Sequence, residues 1–396
     1  MAVPQFLKRV VAEVRNEGQI NTFSAVGDIN GDGRPDIVIS GRNGKFVWLE
    51  NMGPDAVWKE HLIGEAVHME CGGCLVDLTG SGLPDIINGG DAGADEIWWW
   101  ENPGPGGRRW RRRVIAKTGH NQFHDTALGD VTGDGVVSLV FDNQQGPGGT
   151  TVYRAPLPDD PAQSPWPGLE VVATGKGVPN PQNRWLKDGI QPEEGLAIGD
   201  VDGDGMNEII CGTHWYKRTG PAGAPWAAHR FATGYMTTKV AVGDLDGDGR
   251  NEIVLSEGDP CVYGHPEGGK LAWFSAPADP MRTWQEHVLA DGLMDAHTLQ
   301  LADLCGSGRP DILVGEVGAE ATFGERPPKL AIWENAGGGR FTRHVVDVGT
   351  GIHEGVLADM TGGGALDVVG KPLQGPERYN VHVWYNQARR HSAGAT

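Results

Sequence analysis

One glycine-rich acidic unit recurs seven times along the 396 residues, and few architectures can accommodate that. VGDINGDGRPDIVIS (26–40) returns as VDLTGSGLPDIINGG (76–90), LGDVTGDGVVSLVFD (128–142), IGDVDGDGMNEIICG (198–212), VGDLDGDGRNEIVLS (242–256), LADLCGSGRPDILVG (301–315) and LADMTGGGALDVVGK (357–371). The leading aspartates, Asp28, Asp77, Asp130, Asp200, Asp244, Asp303 and Asp359, lie 44 to 70 residues apart. In the first interval TFSAVGDI, IVIS, KFVWLEN and WKEHLI read as short strands, and the last two recur as WWWEN with WRRRVI, WFSAP with WQEHVL, and IWEN with FTRHVV. A four-stranded unit repeated seven times predicts an all-β, seven-bladed β-propeller, one domain over residues 1–396. VHVWYN (381–386) has no fourth strand after it, whereas FLKRVV (6–11) fits that strand and has no unit of its own. The N-terminal strand, residues 5–12, is therefore expected to complete blade seven and close the ring.

Composition narrows the function. The 62 glycines, 26 prolines and 14 tryptophans suit tight turns and large anchors. A net charge of -19 without a basic stripe argues against nucleic acid or an anionic membrane as partner. Cys71 and Cys74 have no second CxxC to complete a zinc site, and the five cysteines are expected to be free thiols in a reducing compartment. No apolar run is long enough to span a membrane. Lys8, Arg9 and Glu13 interrupt what would be a signal-peptide core, so a cytoplasmic location is expected.

The acidic turns have the chemistry of a hard-cation loop. Asp28, Asn30, Asp32 and Asp36 alternate oxygen side chains around Gly33, and Asp200, Asp202, Asp204 and Glu208 with Asp244, Asp246, Asp248 and Glu252 repeat the set. Calcium favours six to eight oxygens in such loops. The other four units lose ligands, at Thr79 and Ser81, Ser138, Cys305 and Ser307, and Thr361 and Gly363, while keeping their strands. Calcium is thus expected in blades one, four and five, in a structural role. These units resemble FG-GAP or VCBS repeats, the family that includes the integrin α-chain propeller. That resemblance implies the fold across almost the whole chain and leaves the function open.

The opposite end of the first strand carries different chemistry. Six residues before each leading aspartate stand Thr22, Cys71, His124, Glu194, Thr238, His297 and His353. Strand side chains alternate, so this position shares a face with the apolar residue two before the aspartate and points at the central channel. Three histidines and a glutamate at one repeat position, His124, Glu194, His297 and His353, suit a transition metal, zinc first and manganese or iron next. By the same alternation Glu354 is expected to face the other way. His61, His229, His287 and His344 fall in the fourth strand and are expected to be repeat packing on the outside of the wheel.

Polar residues near that mouth supply the remaining candidates. His214, Lys239, His68 and Glu354, with Tyr235 and Tyr263, are candidates for moving protons. Arg42, Asp91, Glu257, Glu316 and Lys371 after the second strands, and Arg184 and Trp185 in an insertion (176–192) expected to form a lid or rim, are candidates for binding substrate. The His- and Glu-bearing strands resemble those of the propeller half of fungal aldos-2-ulose dehydratase, and propeller polysaccharide lyases are similar in general plan. The dehydratase resemblance implies zinc-dependent loss of water from a keto-sugar, with His124, Glu194, His297 and His353 matching its metal-bearing strands. The chain departs from it in having no cupin-like half, so no isomerase step carries over. The expected function is a metal-dependent carbohydrate lyase, dehydratase or epimerase that removes a proton beside a carbonyl or carboxylate of a small sugar or sugar acid. The alternative is a calcium-stabilised lectin-like or protein-interaction propeller.

Overall fold

The structure is a computed structural model that describes residues 4–16, 20–107, 109–184, 186, 188–220, 223–318 and 325–388, without the side chains of 66 and 67. Those residues form 27 strands and no helix. The inner strands are Asn21–Gly27, the second half of Lys59–Val76, Thr126–Gly129, Leu196–Gly199, Thr238–Gly243, Thr298–Ala302 and His353–Ala358. Each packs beside the next around a closed circle, and the last packs against the first. Lys59–Val76 runs from the outer edge of blade one to the inner edge of blade two, joining the two into one six-stranded sheet. Blade three gains a fifth strand, Ile190–Pro192, paired with its outer strand Glu170–Pro179.

The second strand of each blade is apolar on both faces because neighbouring blades cover it on both sides. Ile37 and Ile39 pack toward blade seven, while Val38 between them packs toward blade two. Seven hydrophobic clusters result, one for each junction between neighbouring blades. Near the axis the inner strands approach so closely that a side chain would collide. A Cβ on Gly27 would lie 2.7 Å from Leu75, and one on Gly199 2.7 Å from Val242. The glycine before the leading aspartate therefore makes room for the apolar residue of the next blade.

The acidic turns are held largely by their own backbone. Asp28 accepts the amides of Gly31, Asp32 and Gly33, and the closing Asp36 accepts those of Ile29 and Asn51. Asp367 does the same for Met360 and Asn386. Of the three turns expected to bind calcium, blade four (Asp200, Asp202, Glu208) and blade five (Asp244, Asp246, Asp248) gather three acids with oxygens within 4.8 Å of one another. In blade one Asp32 pairs with Arg34, 2.7 Å away, as Asp248 pairs with Arg250 in blade five. In blade four the ammonium of Lys217 stands 2.5 Å from Asp202 and 2.6 Å from Asp204. A resident lysine thus stands close to the electrostatic position that a cation would take there. Lys217→Met should therefore lower stability by about 2 kcal/mol in chelator, and excess calcium should restore it. A variant as stable as wild type in chelator contradicts this.

Ring closure follows the expected route, one residue along: Phe6–Glu13 pairs antiparallel with Asn380–Asn386. The outer-strand histidines stack on third-strand tryptophans, His61 on Trp48, His229 on Trp215 and His287 on Trp273, with ring centres 3.8 to 4.2 Å apart. His382 differs. It lies opposite Val10 in the closing strand, is fully buried, and neither ring nitrogen has a hydrogen-bond partner among the described residues. Burial, helped by Lys8 and opposed by Asp347, holds its pKa down to about 4. The half-exposed Glu377 carboxylate is 3.5 Å from Nε2. The unfolded chain takes up a proton near pH 6.5 that the folded ring refuses until about pH 4, so stability falls with pH across that window. Replacing the ring by His382→Phe should flatten the stability profile between pH 6.5 and 4 by about 2–3 kcal/mol, measured by denaturant unfolding. An unchanged profile would contradict this.

Candidate functional site at the channel mouth

Where the inner strands begin, the backbone is strained. Gln122, Thr237, Asp295 and Glu354 have φ between 44° and 65°, and only Asn43 shares that conformation among the described non-glycine residues. Such residues cost about 1–3 kcal/mol each and persist where surrounding contacts enforce them. Here the enforcement is visible. Asp142 Oδ1 accepts the amides of His124 and Asp125, Thr238 Oγ1 donates to the Glu194 carbonyl, and the Gly355 amide donates to Thr298 Oγ1.

The strain at Glu354 corrects the expectation that it faces away. The pairing of blade seven's inner strand slips between His353 and Val356, and Glu354 adopts φ 54°. Alternation fails at this bulge, so His353 and Glu354 both reach the channel. Glu354 Oε1 lies 2.7 Å from Lys239 Nζ and 3.1 Å from His297 Nδ1. Lys239 Nζ also lies 3.0 Å from Asp125 Oδ1, and Asp125 Oδ2 lies 2.8 Å from His124 Nδ1. One buried lysine thus joins two carboxylates, of which Asp125 hydrogen-bonds His124 Nδ1, while Glu354 lies close to His297 Nδ1 without a well-aligned hydrogen bond. The Nε2 atoms face acids across the channel, His124 at 3.6 Å from Glu194 Oε2 and His297 at 3.4 Å from Asp259 Oδ2.

Burial and charge compete throughout this cluster. Burial disfavours the Lys239 ammonium, but Asp125 and Glu354 outweigh it and raise its pKa well above the ordinary range. Burial would raise the Glu354 carboxyl, yet Lys239 and His297 bring it down to about 2. Lys239 is thus favoured as a cation between the two carboxylates, with Glu354 Oε1 turned toward Lys239 and His297. Burial lowers the His297 pKa, but Asp259 and Glu354 carry it up to about 9. Glu194 is pushed up to about 7 by burial, against the pull of His124. Its Oε1 accepts from Gln144 Nε2 at 2.7 Å, while Oε2 is buried with no hydrogen-bond partner.

Ligand atoms of His124, Glu194 and His297 lie within 4.8 Å of one another. His353 stands outside that trio. Its ring stacks on His297 at 4.2 Å, and it groups instead with Cys71 and Glu354. The trio, the orphaned Glu194 oxygen and the nearby Asp259 make a donor set of two nitrogens and two oxygens that suits a divalent transition metal.

The other candidates divide by what their polar atoms already touch. Tyr263 lies over the channel; burial, then Asp259, Glu194 and Glu70, raise its phenol well above the ordinary value. Arg42 is one-third exposed and pairs with buried Glu70. His68, nearly half exposed, leans on buried Asp91 at 3.1 Å, which makes Asp91 its support and not a free binding group. His214 leans in the same way on Glu193 at 3.3 Å. Arg184 is exposed and shares with Tyr263 a cavity of about 590 Å³.

Four candidates are withdrawn from the site. Tyr235 is packed in the core between blades four and five, and its hydroxyl donates to Glu286 on an outer strand. Glu257 accepts the amides of Met236 and Lys270, and Glu316 that of Lys329, so both lock backbone. Lys371 is fully buried and donates to the carbonyls of Asn21 and Thr22 across the blade-seven junction. Trp185 lies outside the described residues. The insertion itself is built in, with Asn180 Nδ2 donating to the Tyr263 carbonyl.

Removing the central cation tests the network directly. Lys239→Met should cost about 3–5 kcal/mol by leaving two buried carboxylates unpaired. Neutralising both as well, in Asp125→Asn/Lys239→Met/Glu354→Gln, should recover most of it. Equal stability of Lys239→Met and wild type in denaturant unfolding would rule out the ion-pair assignment.

Comparison with known proteins places the chain among propellers. Residues 200–255 match the FG-GAP-like repeat and residues 21–46 the FG-GAP repeat. No curated protein matches the sequence. Among solved structures, rhamnogalacturonan lyase YesW is similar at 14% identity and TM-score 0.50, covering 99% of this chain and 76% of that one. BBS1N, solved in complex with ARL6DN, is similar at 10% identity and TM-score 0.54, covering 97% of each. Bacillus licheniformis rhamnogalacturonan lyase PL11 is similar at 14% identity and TM-score 0.47, covering 96% of this chain and 76% of that one. At these identities the likeness concerns fold alone.

Proposed function

We propose that this FG-GAP repeat β-propeller is a metal-dependent carbohydrate lyase acting on a small sugar acid or keto-sugar at the channel mouth. The observation that carries it is the buried convergence of His124, Glu194 and His297, with an unpartnered Glu194 oxygen among them and Asp259 3.4 Å from His297 Nε2. His124, Glu194 and His297 would hold the metal, with Asp259 as a fourth donor; zinc suits the set best and manganese or iron next. Such an ion supplies a Lewis acid for the oxygen beside the carbon that loses its proton. The two rhamnogalacturonan lyases share this scaffold and supply no residue-level support.

The chain's own residues divide the remaining work. Arg42, braced by Glu70, binds the substrate carboxylate or carbonyl, with Arg184 as a second positive group on the rim. His68, with Nδ1 held by Asp91, presents Nε2 and takes the proton from the carbon next to that group. The electrons of the broken C–H bond form the new double bond as the neighbouring C–O bond breaks. Tyr263, kept protonated by burial and by surrounding acids, gives its proton to the departing oxygen. Lys239, Asp125 and Glu354 orient the two histidines and hold their Nε2 atoms inward. His214 with Glu193 is a second carboxylate-backed base, suited to returning a proton if the reaction ends in epimerisation.

His68→Ala and Tyr263→Phe should each lower kcat about 100-fold or more while leaving metal content unchanged. The assay is new ultraviolet absorbance from uronic-acid glycosides and keto-sugars, run beside elemental analysis of wild type and Glu194→Gln. Calcium as the sole metal, with no unsaturated product from either substrate class, would overturn the lyase proposal and favour a binding propeller.

A further inference from the structure

We propose that the channel contains a second metal position, formed by Cys71, His353 and Glu354, that takes a thiophilic divalent ion such as zinc. It uses residues other than His124, Glu194 and His297, although Cys71 neighbours His124 and Glu354 neighbours His297. One donor atom from each of the three residues lies within 4.8 Å of the others, and Cys71 and His353 are both buried.

Three observations make this a prepared site and not an accident of crowding. First, one tautomer of His353 is favoured. Its Nδ1 lies 3.1 Å from the Thr22 carbonyl and 3.5 Å from Lys371 Nζ, and the shorter contact to a pure acceptor favours the tautomer that leaves Nε2 with a lone pair. Second, Lys239 and His297 both use Oε1 of Glu354, which leaves Oε2 for a ligand. Third, both inner strands that carry the set are irregular where they carry it. Pairing slips between Met69 and Gly73 around Cys71, and between His353 and Val356 around Glu354. Gly72 then passes so near blade three that a Cβ would lie 2.9 Å from the His124 backbone. Regular strands would send Glu354 away from His353, so the left-handed turn at Glu354 is what creates the set.

The donor chemistry decides the ion. A thiolate with an imidazole and a carboxylate favours zinc and other soft or borderline ions over calcium and magnesium. The buried Cys71 thiol is pushed up to about 12 and keeps its proton until an ion displaces it. The two positions are neighbours through His297, whose ring stacks on His353 and whose Nδ1 faces Glu354.

Cobalt(II) reports both positions in the purified full chain, because a cobalt–thiolate bond adds a near-ultraviolet charge-transfer band. After removal of metal and reloading, wild type should bind two equivalents at these sites and show the band. Cys71→Ser should lose the band and one equivalent. Glu194→Gln should keep the band and lose the other equivalent. If Cys71→Ser does not fold, as judged by circular dichroism, His353→Gln takes its place with the same expectation. A wild-type spectrum without the band, or a folded Cys71→Ser protein that keeps it, overturns the second position. Loss of one equivalent and the band in Cys71→Ser alone, with Glu194→Gln unchanged from wild type, would support the second position and count against the proposed lyase metal set.

Discussion

The structure depends on how tightly seven inner strands can be brought together. They approach closely enough that glycine is required where one blade passes the next, as at Gly27 and Gly199. Polar groups aimed inward from different blades must then satisfy one another, because each is cut off from bulk water. The Lys239 ammonium between Asp125 and Glu354 is the clearest case, linking blades three, five and seven through one buried cation. Everything chemically distinctive about the mouth is built outward from that pairing. The carboxylates fix two histidines, and the histidines present their free edges to Glu194 and Asp259.

Most of the fold was legible because it is periodic. The repeated acidic turn gave the blade count, and the unmatched strand at each end of the chain gave the closure, displaced by a single residue. The turns carry less information. Their spacing suits calcium, but no rule of spacing shows that Lys217, from the third strand, reaches back into blade four's acids. That is a contact between a strand residue and a turn 13 to 15 residues before it.

The site was legible only as far as strand alternation holds. Counting back from each aspartate identified His124, Glu194 and His297, because blades three, four and six deliver that position to the same place. It misplaced Glu354, since a left-handed residue reverses the parity that the count assumes. Asp259 was missed altogether; it sits in a long loop where no period exists. Lys371, Glu257 and Glu316 were over-read, since a charged residue after a buried strand can equally well serve the backbone of its own blade. Polarity near a mouth is a weaker guide than the presence of an unanswered hydrogen-bonding atom, such as Glu194 Oε2.

The closing strand also imposes an order on synthesis. Phe6–Glu13 is made long before its partner, Asn380–Asn386. Until that partner is made, Phe6–Glu13 is an unpaired edge, with Leu7 and Val10 on a surface that remains partly exposed even after closure. Such an edge can recruit foreign strands, and pairing across nearly the whole chain is slow. Blades one to six can stack as they emerge, because each finds its partner in the blade before it. Blade seven alone has to wait for both ends of the same molecule, so a nascent chain stalled before residue 380 is a stack with two open faces and no ring.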